Sequence, residues 1–427
     1  MVSERQLVPF ADVVEIISGG TPKTSIAEYW GGDIPWLSVS DFNTGYRWVS
    51  SSEKSITDFG LSNSATNILD AGDIIISARG TVGVIAQLAK PMAFNQSCYG
   101  IRGKKGVSDT NFIYYALKNA VSQMLQVAYG GVFNTITRDT FKIISTRLPF
   151  LKKQEAIACI LGALDDKIEL NRQMCKTMED TAQAIFKSWF VDFDPVHAKA
   201  TGKQPQGMNP EIAALFPDSF EDTDLGTIPK GWRLGGLDSL GEFLNGLALQ
   251  KYPPTEDEWL PAIKIAQLRT NDTRNADKVS SSISEEYIVK DGDILFSWSG
   301  SLECVVWTGG KGALNQHLFR VTSDEYPKWF IYFWIHYHLP EFRHIAAGKA
   351  TTMGHIQRHH LRDAKVVIPL PDILDRAHRT INPLLESMVI RYLENKQLEF
   401  LRDLLLPQLV SGKLQVSDAE TIIKRCS

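Results

Sequence analysis

The chain has 427 residues, 44% hydrophobic and 22% charged, with a formal net charge of −4. At roughly 100–200 residues per domain, that length suggests two or three domains of ordinary globular composition. The acidic balance weighs mildly against nucleic acid, unless basic groups gather on one face or a partner supplies them. No apolar run approaches the ~20 residues that span a bilayer. The opening MVSERQL lacks the layout of a signal peptide, so an intracellular protein is expected. Cysteines 98, 159, 175, 304 and 426 form no CxxC pair and read as small buried side chains in a reducing compartment.

Residues 1–150 read as a globular domain of short β-rich runs and turns. In AGDIIISARG (71–80) the strand-like IIIS is entered through Gly-Asp and left through Arg-Gly. SDTNFIYYALKNAVSQML (108–125) predicts a helix capped by Ser108, Asp109 or Asn111, with Tyr114, Leu117, Val121 and Leu125 on one face.

Residues 151–193 differ in kind. Ile157, Leu161, Leu164, Ile168, Asn171, Cys175, Met178, Ala182, Ile185 and Trp189 step by four and three, which is a heptad seam. Residues 194–230 contain prolines 195, 205, 210, 217 and 229 and predict an extended connector with one short helix near 210–215.

Residues 231–371 repeat the first domain. DGDILFSWSG (291–300) matches AGDIIISARG at an offset of 220. At the same offset Asn95-Gln96 meets Asn315-Gln316, Ile136 meets Ile356, Arg138 meets Arg358, and Leu148-Pro149 meets Ile368-Pro369. Residues 372–414 repeat the seam through Ala377, Ile381, Leu384, Met388, Arg391, Asn395, Leu398, Arg402, Leu405 and Leu409, thickened by Leu401 and Leu404. Pro383 is expected to start or kink this helix and Pro407 to end it. Asn171 and Arg391 fall near mid-seam, where a polar residue fixes register. Residues 415–427 form a C-terminal tail. The expected class is α+β, with two similar mixed α/β domains separated by two long helices, which pair with each other or with a partner's.

Catalytic signatures are absent. The Gly-Lys pairs are never followed by Ser or Thr, so no phosphate-binding loop is present. No Asn/Asp-Pro-Pro-aromatic tetrapeptide of amino-methyltransferases occurs. Asp372 and ENK (394–396) mimic nuclease carboxylates but read as a solvated helix face. His355 and His359, with His360 beside them, have zinc-ligand spacing. The matching positions in the first copy are Thr135 and Asp139, so polar surface or DNA contact is preferred and no metal is assigned.

Residues 154–196 (QEAIACILGALDDKIELNRQ through FVDFDPV) and 382–414, closing on LLPQLVSGKL, resemble the central and distal conserved regions of type I restriction–modification specificity subunits. GDIIIS and GDILFS, each followed by Asn-Gln, and ATTMGHIQRHHL (350–361) resemble the family's repeated domain motifs. The resemblance covers nearly the whole chain. It implies two target recognition domains, each reading half of an interrupted double-stranded DNA target. It also implies an antiparallel coiled coil as spacer, a pseudo-twofold repeat, and docking of two modification subunits, with restriction/motor subunits joining later. S-adenosylmethionine, ATP and Mg would be used by those partners; this chain would be non-catalytic, in a prokaryotic cytoplasm at the nucleoid.

Base reading favours polar and basic loop residues. The candidates are Lys23, Thr24, Arg79, Asn134, Thr137 and Arg138 in the first domain, and Arg269, Ser299, Lys349, Thr351, His355 and Arg358 in the second. Tyr129 and Gly130-Gly131 would let backbone approach phosphate. Asn-Gln recurs in both copies, so it is expected to hold the fold or touch phosphate rather than choose bases. Two rivals remain: a single-chain restriction enzyme or methyltransferase, revealed by methyl transfer from the chain alone, and a coiled-coil scaffold, revealed by the absence of a split footprint.

Overall fold

The structure is a computed structural model that describes residues 7–127, 135–223, 226–255, 258–348 and 354–426. It divides into two compact units, Met1–Leu170 with Asn395–Ser427, and Asn171–Glu394.

The first unit is built on a five-stranded sheet. Its order is Val14–Ser18, Cys98–Gly103, Ile74–Ser77, Ile85–Leu88, Trp48–Val49. A second sheet runs Lys54–Ile56, Trp30–Leu37, Met92–Phe94, Ile68–Leu69. The second unit repeats both. Glu242–Asn245, Leu318–Thr322, Ile294–Ser297, Cys304–Val306 form one sheet, and Lys278–Ser280, Trp259–Ile263, Gly312–Leu314, Ile288–Val289 the other. Each second sheet holds one parallel pairing, Trp36 with Ala93 and Ala262 with Ala313.

The doubled GD element has a physical explanation at each position. Gly72 and Gly292 take φ of 87° and 86°, a region that favours glycine. Their amides donate to Leu88 and Trp307 carbonyls. The carboxylates of Asp73 and Asp293 accept the N–H three residues back, at 2.8 and 2.9 Å, closing the turn into the strand. The strand then alternates between two cores. Ile74 and Ile76 enter one cluster and Ile75 another; Ile294 and Phe296 enter one and Leu295 another. Burial on both faces is why the run is continuously apolar. At its end the buried hydroxyls of Ser77 and Ser297 accept N–H bonds from Val84 and Glu303, both at 2.8 Å, and fold the next loop back.

The predicted first-domain helix spans Thr110–Val127, with Asp109 accepting the Phe112 amide at 2.8 Å. The apolar stretch WFIYFWIHYHL (329–339) lies in the helix Lys328–Ala347, whose Trp329–Ile335 stretch is buried. Among the described residues no helix is long and apolar enough to cross a membrane.

The two long helices span Leu151–Phe190 and Pro371–Val410, 40 residues each. In the first unit Ile157, Leu161 and Leu164 share a core with Leu401, Leu405 and Leu409, Leu398 is half-buried against it, and Ile168 is buried. There Arg402 contacts Asp165 at 2.8 Å and Asn395 donates to the Ile168 carbonyl at 3.1 Å. In the second unit Cys175, Ala182, Phe186 and Phe190 share a core with Ile373, Ala377, Ile381, Leu385 and Met388; Met178, Ile185 and Leu384 are half-buried against it. There Asn171 donates to Glu394 at 2.8 Å and the Cys175 thiol to the Met388 carbonyl at 3.7 Å. Numbers rise on one helix as they fall on the other, so the pair is antiparallel.

Several expectations are corrected. The second long helix starts at Pro371 rather than at Pro383 and runs past Pro407 to Val410; each proline removes one backbone donor, and the buried seam on either side holds the helix together. Glu394, expected on a solvated face, is half-buried and answers Asn171; Arg391 is likewise half-buried. Leu404 faces out and Cys159 is exposed on the first long helix. The connector is more structured than expected, with helices Asp194–Ala200 and Pro210–Leu215 and a hairpin pairing Phe220–Thr223 with Gly226–Pro229. The tail carries a helix, Val416–Cys426.

Candidate nucleic-acid interface

In each unit three strand ends meet at one edge of the sheet that carries the GD strand. Ser18 pairs with Tyr99, and Cys98 with Ser77; in the second unit Asn245 pairs with Phe319, and Leu318 with Ser297. Backbone bonds tie the loops leaving this edge together in the same way twice. The Ala78 amide bonds the Ser97 carbonyl and the Ile136 amide bonds the Ala78 carbonyl; Trp298, His317 and Ile356 repeat this at an offset of 220.

The Asn of each Asn-Gln pair is part of this frame. Asn95 Oδ1 accepts the Ser97 amide at 3.0 Å, and Asn315 Oδ1 the His317 amide at 3.2 Å. A Cβ on Gly19 would stand 2.1 Å from the Asn95 backbone carbonyl oxygen, and one on Gly246 2.3 Å from that of Asn315. Both glycines are therefore required by close approach of backbone. The Gln side chains lie at the rim: Thr21 Oγ1 donates to Gln96, and Gln316 Nε2 lies 3.4 Å from the His317 ring.

The two repeated arginines also serve the frame. Arg138 donates to the Ile16 carbonyl at 3.1 Å and to Ser18 Oγ at 3.0 Å. Arg358 donates to the Phe243 carbonyl at 3.2 Å and lies over the Phe319 ring. Ile16 and Phe243 are equivalent, since they pair with Ile101 and Val321. Thr137 exchanges hydrogen bonds with Thr140 and organises the short helix that follows.

Of the other predicted residues, Lys23 and Thr24 are exposed in the turn after Gly19-Gly20. Arg79 is exposed directly after the GDIIIS strand. In the second unit the same position is Ser299, 3% exposed, bridged to His355 and bonded through Oγ to His317 Nδ1 at 2.9 Å. The structure does not bring Arg269 to this edge. It is exposed on the helix Ile265–Thr270, and the following Asn271 is bonded to Thr308, beyond the strand that meets the opposite end of Ile294–Ser297. Asn134, Lys349 and Thr351, with Tyr129, Gly130 and Gly131, lie outside the described residues.

Two of the three clustered histidines, His355 and His360, serve separate tasks. His355 bridges Ser299, while His360 Nδ1 accepts the Gln357 amide at 2.9 Å. Among the described residues no group of three or more metal-ligating side chains occurs.

Sequence reasoning missed Thr21, Ser97, Lys264, Trp298 and His317. Lys264 begins the helix Ile265–Thr270, and Trp298 Nε1 donates to Asn245 Oδ1 at 2.8 Å. Lys264 and Ser38 stand at equivalent points of two capped helices, with Asp41 and Gln267 closing the caps. That repeat runs at an offset of 226, not 220, and shares few residues, so alignment at 220 passes over it.

Residues 3–179 and 229–381 match the family described as type I restriction modification DNA specificity domain. The chain belongs to that specificity family. The MjaIX specificity subunit of a type I restriction enzyme from Methanocaldococcus jannaschii is 28% identical over 420 residues, covering 95% of this chain and 93% of its own. The HindI specificity subunit of Haemophilus influenzae is 27% identical over 344 residues, 68% of this chain and 74% of its own. A crystal structure of the type I S subunit from M. genitalium covers 95% of this chain and 96% of its own, at a TM-score of 0.49 and 14% identity. The two matched segments of this specificity-family chain contain the two sheet edges described above.

Proposed function

We propose that this chain is the DNA sequence-specificity subunit of a type I restriction–modification complex. Each unit reads one half of an interrupted double-stranded target, and the long helices set the gap and seat two modification subunits. The chain itself is non-catalytic; methyl transfer from S-adenosylmethionine and the ATP- and Mg-dependent steps of restriction belong to partner subunits, in a prokaryotic cytoplasm at the nucleoid.

One observation carries this reading. The backbone frame of the edge is built twice with the same bonds, while the side chains it presents differ: Arg79 against Ser299, Ser97 against His317, Ser38 against Lys264. A duplicated frame with divergent reading groups is what recognition of two unlike half-sites on a common backbone requires. The acidic net charge is compatible, because partner subunits closing on DNA share the phosphate contacts.

The test is to exchange residues 231–371 for the corresponding domain of another family member, reconstitute the complex and map methylated adenines on random DNA. One half of the target should change and the other should not. An unchanged target, or a change in both halves, would refute the assignment.

A further inference from the structure

The two edges differ by an exchange of sizes. In the first unit the position after the GD strand holds a long side chain, Arg79, and the facing position holds a short one, Ser97; in the second unit Ser299 is short and His317 long. The backbones of these positions are bonded through Ala78 to Ser97, and through Trp298 to His317. One large directional polar group therefore occupies each edge, supplied from alternate strands.

The His317 ring is fixed on several sides. Ser299 Oγ lies 2.9 Å from Nδ1, and the Trp298 ring lies 5.7 Å away at 40°. Trp298 is itself held by Asn245 and by the Gln316 carbonyl, at 2.8 and 3.1 Å. Gln316 Nε2 lies 3.4 Å from His317 Nε2 and can only donate, so His317 Nε2 is the acceptor and the ring proton sits on Nδ1, donated to Ser299 Oγ. His317 and Gln316 line one groove with Lys264. A half-buried imidazole with one nitrogen fixed is a poor partner for a phosphate, which a mobile cation serves better. It suits a base edge, where direction decides which base is accepted.

We propose that His317 is a specificity-determining residue of the second unit, reading a base edge through Nε2, with Ser299 as the positioning residue that sets its tautomer and Arg79 as its counterpart in the first unit. This rests on the DNA-reading function proposed above.

The experiment maps methylated adenines on a random library with the reconstituted complex carrying wild-type chain, His317→Ser, Ser299→Ala, or Ser299→Arg with His317→Ser. For His317→Ser, preference at one or two adjacent base pairs of one half should fall roughly tenfold, with the other half unchanged. Ser299→Ala should relax the same base pairs. The double variant should impose a new preference there. Unaltered base preference in His317→Ser and in the double variant, or a uniform loss of methylation across all positions, overturns the proposal. Wild-type complex that methylates without a split target removes the function beneath it, a result distinct from a split target indifferent to His317.

Discussion

At the scale of single residues, the repeated element divides into side chains that build backbone and side chains that the backbone presents. Ser77 belongs to the first kind. It is fully buried, donates to the Thr81 carbonyl and accepts the Val84 amide at 2.8 Å. Ser77→Ala removes the partner of the Thr81 carbonyl and of the half-buried Val84 N–H, at a cost of about 0.5–1.5 kcal/mol. Urea denaturation of the purified chain should show that loss while the reconstituted complex keeps its target. A variant as stable as wild type would mean that the loop holds itself. This division also explains what could be read in advance. Between 71 and 150 the two copies run without net insertion, so the frame residues Gly72, Asp73, Ser77, Asn95 and Arg138 recur at one offset and are visible by eye. Their recurrence identifies the frame, and Arg138 and Arg358, expected to read DNA, also bond to backbone carbonyls within it. Ser97 and His317 share no identity, which is why neither drew attention.

At the scale of elements, the two long helices were legible because heptad spacing survives over ten positions in each. The exceptions to the seam were not legible, because a charge in a heptad reads as solvated until a partner is known. Asp165 is 7% exposed, pairs with Arg402 at 2.8 Å and accepts the Tyr115 hydroxyl at 2.7 Å. Burial works against the Arg402 charge, but Asp165 and Asp403 more than offset it and hold its pKa above the ordinary arginine value. Removing Asp165 leaves the largely buried Arg402 with the half-exposed Asp403 as its remaining partner. Asp165→Leu should therefore cost about 3–5 kcal/mol. Asp165→Leu combined with Arg402→Met and Tyr115→Phe removes all three polar groups together and should recover most of that loss. Urea midpoints of the single and triple variants decide this; equal destabilisation of both would show that packing volume, not the charge left on Arg402, sets the penalty.

At the scale of the whole molecule, the proposed ruler must satisfy two periodicities at once. A coiled coil accepts added length in units of seven residues without turning its seam away from its partner. Seven residues add ~10.5 Å, about three base pairs at 3.4 Å, and three base pairs turn the duplex by about a third of its ~10.5 base-pair repeat. One heptad added to both helices, after Leu170 and after Glu394, thus lengthens the spacer while presenting the second half-site on the wrong side of the DNA. Three heptads add ~31.5 Å, close to the ~34–36 Å of one turn, and bring the half-site back into phase. The one-heptad complex should methylate poorly at any gap. The three-heptad complex should regain activity on a target whose unread interval is nine or ten base pairs longer, with both halves unchanged. Mapped methylation of the two complexes separates the possibilities: a three-heptad chain that keeps the original interval would show that something other than these helices measures the distance. Equal activity of both insertions would show that the connections between helices and recognition units are too compliant to transmit phase.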